Sequence, residues 1–236
     1  MTTDALRLVV FDCDGTLVDS QHAITHCMDY AFAAHGLASP GLDHTRTIIG
    51  LSLPEAIATL ALHVGHDAIL EDLKIEAITN SYKSAFFELR QTPDFHEPLY
   101  PGVVEVMDHL DRRGWLAGVA TGKARRGLDA VLARNNLEKR FVTLQTCDNH
   151  PSKPHPSMLD AAMMETGVDA RFGAMVGDTS FDMAMGRAAG MLSIGVSWGY
   201  HDVETLTAAG AHAVIDHFDQ LPAMLDQLWD ENRYVA

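Results

Sequence analysis

The chain has 236 residues, 47% apolar and 7% aromatic, with 17 Lys+Arg against 32 Asp+Glu and a formal net charge of −15. That length can bury a sizeable core, either as one large α/β domain or as a core domain with a smaller companion. So negative a charge argues against nucleic acid or an anionic membrane as the main partner, and an anionic substrate would need a cation to help it bind.

RLVVF, residues 7–11, is the short apolar run of a fully buried parallel strand. Similar runs recur as LAGVA, FVTLQT, AMVG, LSIGV and HAVID, beginning near Leu116, Phe141, Ala174, Leu192 and His212. Helix-length stretches such as VVEVMDHLDRRG, ARRGLDAVLARNN and PSMLDAAMMETG lie between them and end in Gly or Asn, as helix C-termini tend to. This alternation predicts a Rossmann-like parallel sheet with helices on both faces. Residues 20–90 break the rhythm and read as helices: SQHAITHCMDYAFAAHG, LPEAIATLALHVG, then DAILEDLKIEAITNSYKSAFFELR over 67–90. SLPE, residues 52–55, has the capping-box pattern, with Pro54 in the first turn. QTPDFHEPLYPG, with three prolines, reads as the linker back. The expected division is an α/β core of residues 1–18 and 97–236, with an all-helical cap and its hinges at 19–96.

MTTDALRL has no basic region followed by a long apolar run, so no signal peptide is expected. No uninterrupted apolar stretch reaches the roughly 20 residues of a bilayer span. The three cysteines, Cys13, Cys27 and Cys147, are widely spaced without a C-x-x-C pair, which suits a reducing compartment. The expectation is a cytoplasmic protein, monomeric or weakly dimeric, with no nucleic-acid or membrane partner.

VVFDCDGTLVDS, residues 9–20, sets Asp12 and Asp14 one residue apart at the end of a buried strand. Carboxylates that close raise each other's pKa unless a cation intervenes. A calcium loop starting at Asp12 fails, because Leu17 and Ala23 stand where Gly and Glu are needed. Helix capping belongs rather to Asp19 or Ser20. Open α/β sheets bind ligands beyond the carboxyl ends of their strands, where both aspartates sit. Three other such ends carry polar groups: Thr121 before Gly122, which lets a ligand approach the backbone; Lys153 between prolines in SKPHP; and Asp178 with Asp182 in GDTSFD. Four acids, an amine and a hydroxyl suit Mg²⁺ and a phosphate.

Rival readings are weaker. GVATGKA misses the Walker pattern in its glycine spacing and in Ala124 after Lys123, so Lys123 reads as a solvated helix-start residue. His22 and His26 share a helix face but lack a third ligand. The Met-rich AAMMETG and FDMAMGRAAGM read as helix packing. Alternation turns Cys13 away from its neighbours, and Trp198 and Tyr200 read as packing at the core edge.

DCDGTLVDS, ATG, KPHP and GDTSFD resemble, in order and spacing, the four motifs of the haloacid dehalogenase-like hydrolase superfamily. IIGLSLPEAI, PLYPGV and IGVSWGYHDVETLTAAGAHAVID resemble its phosphoglycolate phosphatase-like members. The resemblance implies a Mg²⁺-dependent phosphatase acting on a small phosphorylated metabolite, such as 2-phosphoglycolate, through an aspartyl phosphate. A sugar-phosphate mutase of the phosphoglucomutase kind is the alternative. It also implies that Asp12 is the nucleophile and Asp14 the acid and base. Asp12, Asp14 through its carbonyl, Asp178 and Asp182 would serve the metal, and Thr121, Gly122 and Lys153 would hold the phosphoryl group. Arg46, beside the IIGLSLPEA segment, is the candidate reader of an anionic group on the substrate, against the reading that it is a solvated surface charge.

Overall fold

The computed structural model describes residues 5–64 and 72–232. Six parallel strands, β1 (Leu8–Phe11), β2 (Leu116–Thr121), β3 (Thr143–Thr146), β4 (Gly173–Gly177), β5 (Leu192–Val196) and β6 (Ala213–Ile215), form one sheet in the order β3-β2-β1-β4-β5-β6. β1 is central: Phe11 lies opposite Val119 of β2 on one side and Val176 of β4 on the other. Its four residues are fully buried, and burying such side chains contributes about 1.5–3 kcal/mol each. The chain passes from β1 to β2 on one side and later returns to β4 on the other. The crevice where strand order reverses therefore opens at the end of β1, beside Asp12.

Alternation along β1 sends Val9 and Phe11 to one face and Leu8 and Val10 to the other. The first face packs under α5 (Val103–Arg113), α6 (Arg125–Arg134) and α10 (Leu221–Asn232). The second packs under α7 (Ser157–Thr166) and α8 (Ser180–Ala188), with Met158, Met175 and Met185 in its core. Methionine therefore does serve as packing, except for Met164, which is 80% exposed. α9 (Val203–Ala208) packs on β5 and β6. Gly114 and Gly167 close α5 and α7 at positive φ, as the sequence suggests.

Between β1 and α5 the chain forms α1 (Gln21–Ala34), α2 (Gly41–Arg46), α3 (Leu53–His63) and α4 (Asp72–Leu89). These helices bury their own core, which includes Met28, Phe32, Ile57, Leu60 and Ile78, and make an inserted helical cap. The beginning of the expected 67–90 helix lies outside the described residues, and the short α2 was not anticipated. The SLPE capping box does not form, since Ser52 makes no side-chain cap bond. Its amide instead donates to Ser152 Oγ of the core at 2.8 Å. Both chain passages between cap and core run side by side: Val18 bridges Leu99, and Asp19 N donates to Pro98 O at 2.9 Å.

Candidate active site

Asp12 follows β1 directly, and its amide extends the ladder to Val176 O at 2.9 Å. Its Oδ1 accepts from Cys13 N at 2.6 Å, and its Oδ2 lies 2.9 Å from Lys153 Nζ. Lys153, buried in the loop between β3 and α7, also donates to Asp182 Oδ1 at 2.6 Å. Asp182 is held in turn by the capping box that starts α8: its Oδ2 accepts from Thr179 N at 3.0 Å and Thr179 Oγ1 at 2.7 Å. Asp178, just beyond β4, accepts from Thr16 Oγ1 at 2.8 Å and Tyr200 N at 3.0 Å. One oxygen each from Asp12, Asp178 and Asp182 lies within 4.8 Å of the others.

Three buried carboxylates thus cluster beside one amine, which pairs with two of them. Burial, opposed by Lys153 and reinforced by Asp182 and Asp14, pushes the Asp12 carboxyl up to about 7. Burial, reinforced by Asp182 and Asp12, lifts Asp178 well above the usual carboxylate range. Burial alone would lower the Lys153 ammonium, but Asp12 and Asp182 outweigh it and hold it charged. Excess buried negative charge on hard oxygen donors is what a small divalent cation relieves. Among the described residues no histidine joins the group, so His22 and His26 stay outside it.

Asp14 has different neighbours. Ser20 Oγ donates to its Oδ1 at 2.5 Å, and Lys123 Nζ lies 2.9 Å from the same oxygen. The serine's hydroxyl serves the site and makes no side-chain cap bond to α1, which corrects the capping expectation for Ser20. Lys123 is likewise not solvated. Its side chain is 9% exposed and lies between Asp14 and the buried Glu97 Oε1, 3.6 Å away. Sequence reading missed Glu97, which sits between prolines and carries no motif. It also missed Thr16, although that residue is part of DCDGT, and it left Tyr200 as packing. Tyr200 is buried against the cap core, but its amide holds Asp178 and its hydroxyl lies 3.3 Å from Ser20 Oγ.

Asp12, Asp14, Thr121 and Gly122 line a cavity of about 630 Å³ between cap and core. At Gly122 the close approach is the cap's. A Cβ there would lie 2.5 Å from both the Gly50 and Leu51 carbonyl oxygens, so only glycine admits the seated cap. Arg46 is not brought to this cavity. Its Nη2 donates to Gly199 O at 3.2 Å, tying the cap to the loop after β5. Cys13 points into the core beneath, where burial pushes its thiol well above the ordinary range.

The family model of haloacid dehalogenase-like hydrolases matches residues 9–196 of this chain, most of its length. The chain belongs to that family. As a haloacid dehalogenase-like hydrolase it is 38% identical to the "Probable phosphatase IndB" of Dickeya dadantii over 221 residues, 91% of each chain. It is 30% identical to phosphoglycolate phosphatase 1 of Pseudomonas aeruginosa, across 94% of this chain and 80% of that one. The fold is shared with a solved structure from Bacteroides vulgatus named after beta-phosphoglucomutase: TM-score 0.80, 20% identity, 97% of this chain and 91% of that one. One architecture thus occurs under phosphatase and mutase names, and fold alone does not choose between them.

Proposed function

We propose that the chain is a Mg²⁺-dependent phosphatase that hydrolyses a small phosphomonoester through a phosphoryl group carried on Asp12. The observation that carries this reading is the buried Asp12–Lys153–Asp182 chain beside Asp178, placed at the strand ends under a capped cavity. Asp12, the Asp14 carbonyl and Asp178 would hold the ion. Asp182, whose oxygens already engage Thr179 and Lys153, would support them from behind. Bound there, Mg²⁺ supplies charge neutralisation and in-line orientation of the phosphoryl oxygens.

Asp12 attacks phosphorus, and the leaving ester oxygen takes a proton from Asp14. Ser20 and Lys123 both contact Oδ1 of Asp14, which favours Oδ2 as the proton-carrying atom. Asp14 then accepts a proton from the water that attacks phosphorus and frees Asp12. Lys153, the Thr121 hydroxyl and the Gly122 N–H stabilise the charge that develops on the phosphoryl oxygens. The cap, with hinges near 18/19 and 96/97, excludes bulk water during the reaction.

A mutase would use the same aspartates. Hydrolysis is favoured because the sequence relatives carry phosphatase names, whereas the mutase likeness is one of fold. 2-Phosphoglycolate, named in the Pseudomonas aeruginosa relative, is the first of the small cytoplasmic phosphate esters to assay.

Chelation tests the metal. EDTA should lower phosphate release at least about a hundredfold, roughly 2.7 kcal/mol of barrier. Mg²⁺ should restore it, and Ca²⁺ should restore little, because its larger, looser shell disturbs in-line geometry. Undiminished hydrolysis after exhaustive chelation would remove the ion from the mechanism. Interconversion of hexose phosphates without net phosphate release would favour the mutase.

A further inference from the structure

The cap sits on the core through the Ser52–Ser152 and Arg46–Gly199 bonds, and the Gly50 and Leu51 carbonyls cover Gly122. Even so, about 630 Å³ remains between them. A two-carbon phosphate fills only a few times the roughly 30 Å³ that a water occupies in the liquid. The far walls of this space are apolar and aromatic, with Met28 on α1, Leu53 on α3, and Tyr82 and Phe86 on α4.

One partly buried cation in that wall has no ion pair among the described residues. Arg90, just past α4, is half-buried, and its guanidinium carbon lies 4.5 Å from the centre of the Phe86 ring. Among the described residues it has no carboxylate partner, and its buried Nε makes no hydrogen bond. The neighbouring cations differ. Lys123 is taken by Asp14 and Glu97, and Arg46 by Gly199; Lys83 and Arg126 also border the cavity but are exposed, Arg126 lying over the exposed Phe87 ring. Gly127 of α6 shows that Arg90 reaches across from cap to core. A Cβ there would meet Lys123 Cγ at 2.9 Å and Arg90 Nη2 at 3.5 Å. Glycine weakens a helix, and at this position it leaves room for both cationic side chains.

We infer that Arg90 reads the substrate beyond its phosphate by pairing with a second anionic group, across a leaving group whose apolar or ring-shaped body fills the chamber against Met28, Tyr82 and Phe86. The inference rests on the phosphatase reading above and names its substrate class. A guanidinium fixed over an aromatic ring keeps its donor fork free for a planar anion.

The test compares phenyl phosphate with 4-carboxyphenyl phosphate, using wild type, Arg90→Gln and Arg90→Lys, each checked for native circular dichroism and melting. Wild type should favour the carboxylated ester by at least about tenfold in kcat/KM. Arg90→Gln should erase that preference mainly through KM, and Arg90→Lys should keep part of it. No preference in the wild type, or equal losses on both esters in Arg90→Gln, would overturn the assignment. Faster turnover of 2-phosphoglycolate than of 4-carboxyphenyl phosphate by the wild type would overturn the large leaving group. If the wild type released phosphate from no small ester at all, the phosphatase reading itself would fall, and this inference with it.

Discussion

Asp12→Asn should give a folded protein whose kcat is at least about a thousandfold below wild type, some 4 kcal/mol of barrier. An amide is a poor nucleophile and a weaker ligand for a hard cation, so both roles proposed for Asp12 are lost together. The fold should tolerate the exchange. The amide has nearly the same shape, its oxygen can still accept from Cys13 N, and Lys153 keeps its bond to Asp182. One of three crowded buried carboxylates disappears, so metal-free stability should not fall by more than about 1 kcal/mol. Melting curves and steady-state rates on one preparation settle the matter. A folded variant with even about a tenth of wild-type kcat would exclude a nucleophilic Asp12.

Lys153→Met should cost both activity and stability. The ammonium, with no exposed side-chain surface, is among the described residues the one positive charge paired with both Asp12 and Asp182. Methionine fills similar space without charge and leaves those carboxylates buried and unpaired. Breaking a buried ion pair by removing one partner costs about 3–5 kcal/mol. Without metal, the urea midpoint should drop accordingly. Added Mg²⁺ should recover part of the loss by binding the native state alone. kcat should fall at least about a hundredfold, since the transition-state charge on the phosphoryl oxygens loses its amine. A metal-free stability within about 1 kcal/mol of wild type would contradict this account of the cluster's electrostatics.

The sheet was legible because fully buried parallel strands read as unbroken apolar runs, and RLVVF and AMVG are that simple. Lys153 was legible from its proline-bracketed loop, and the strand-end residues Asp12, Thr121 and Asp178 for a related reason. Polar side chains directly after such runs must sit at the open end of the sheet. What escaped reading depends on pairings distant in sequence. Glu97 and Lys123 are unremarkable in their own neighbourhoods, and only the packing of the linker against the start of α6 buries them together. Ser20 sits where a helix cap belongs and bonds Asp14 instead. Arg46 and Arg90 show the same limit in the cap. Sequence singled out the first, which ties itself to Gly199, while the second lies over Phe86 at the cavity wall because of how α4 ends over α6.

The central claim, a phosphoryl group carried on Asp12, is tested most directly by trapping it. In Asp14→Asn, an aryl phosphate with a good leaving group can still phosphorylate the enzyme without acid assistance, but the hydrolytic water loses its base. Acid quench during turnover, borohydride reduction and peptide mass spectrometry then report the modified position. The account predicts conversion of Asp12, and no other carboxylate, to homoserine. Unmodified Asp12 in a variant that is turning over, or reduction at another residue, would contradict it.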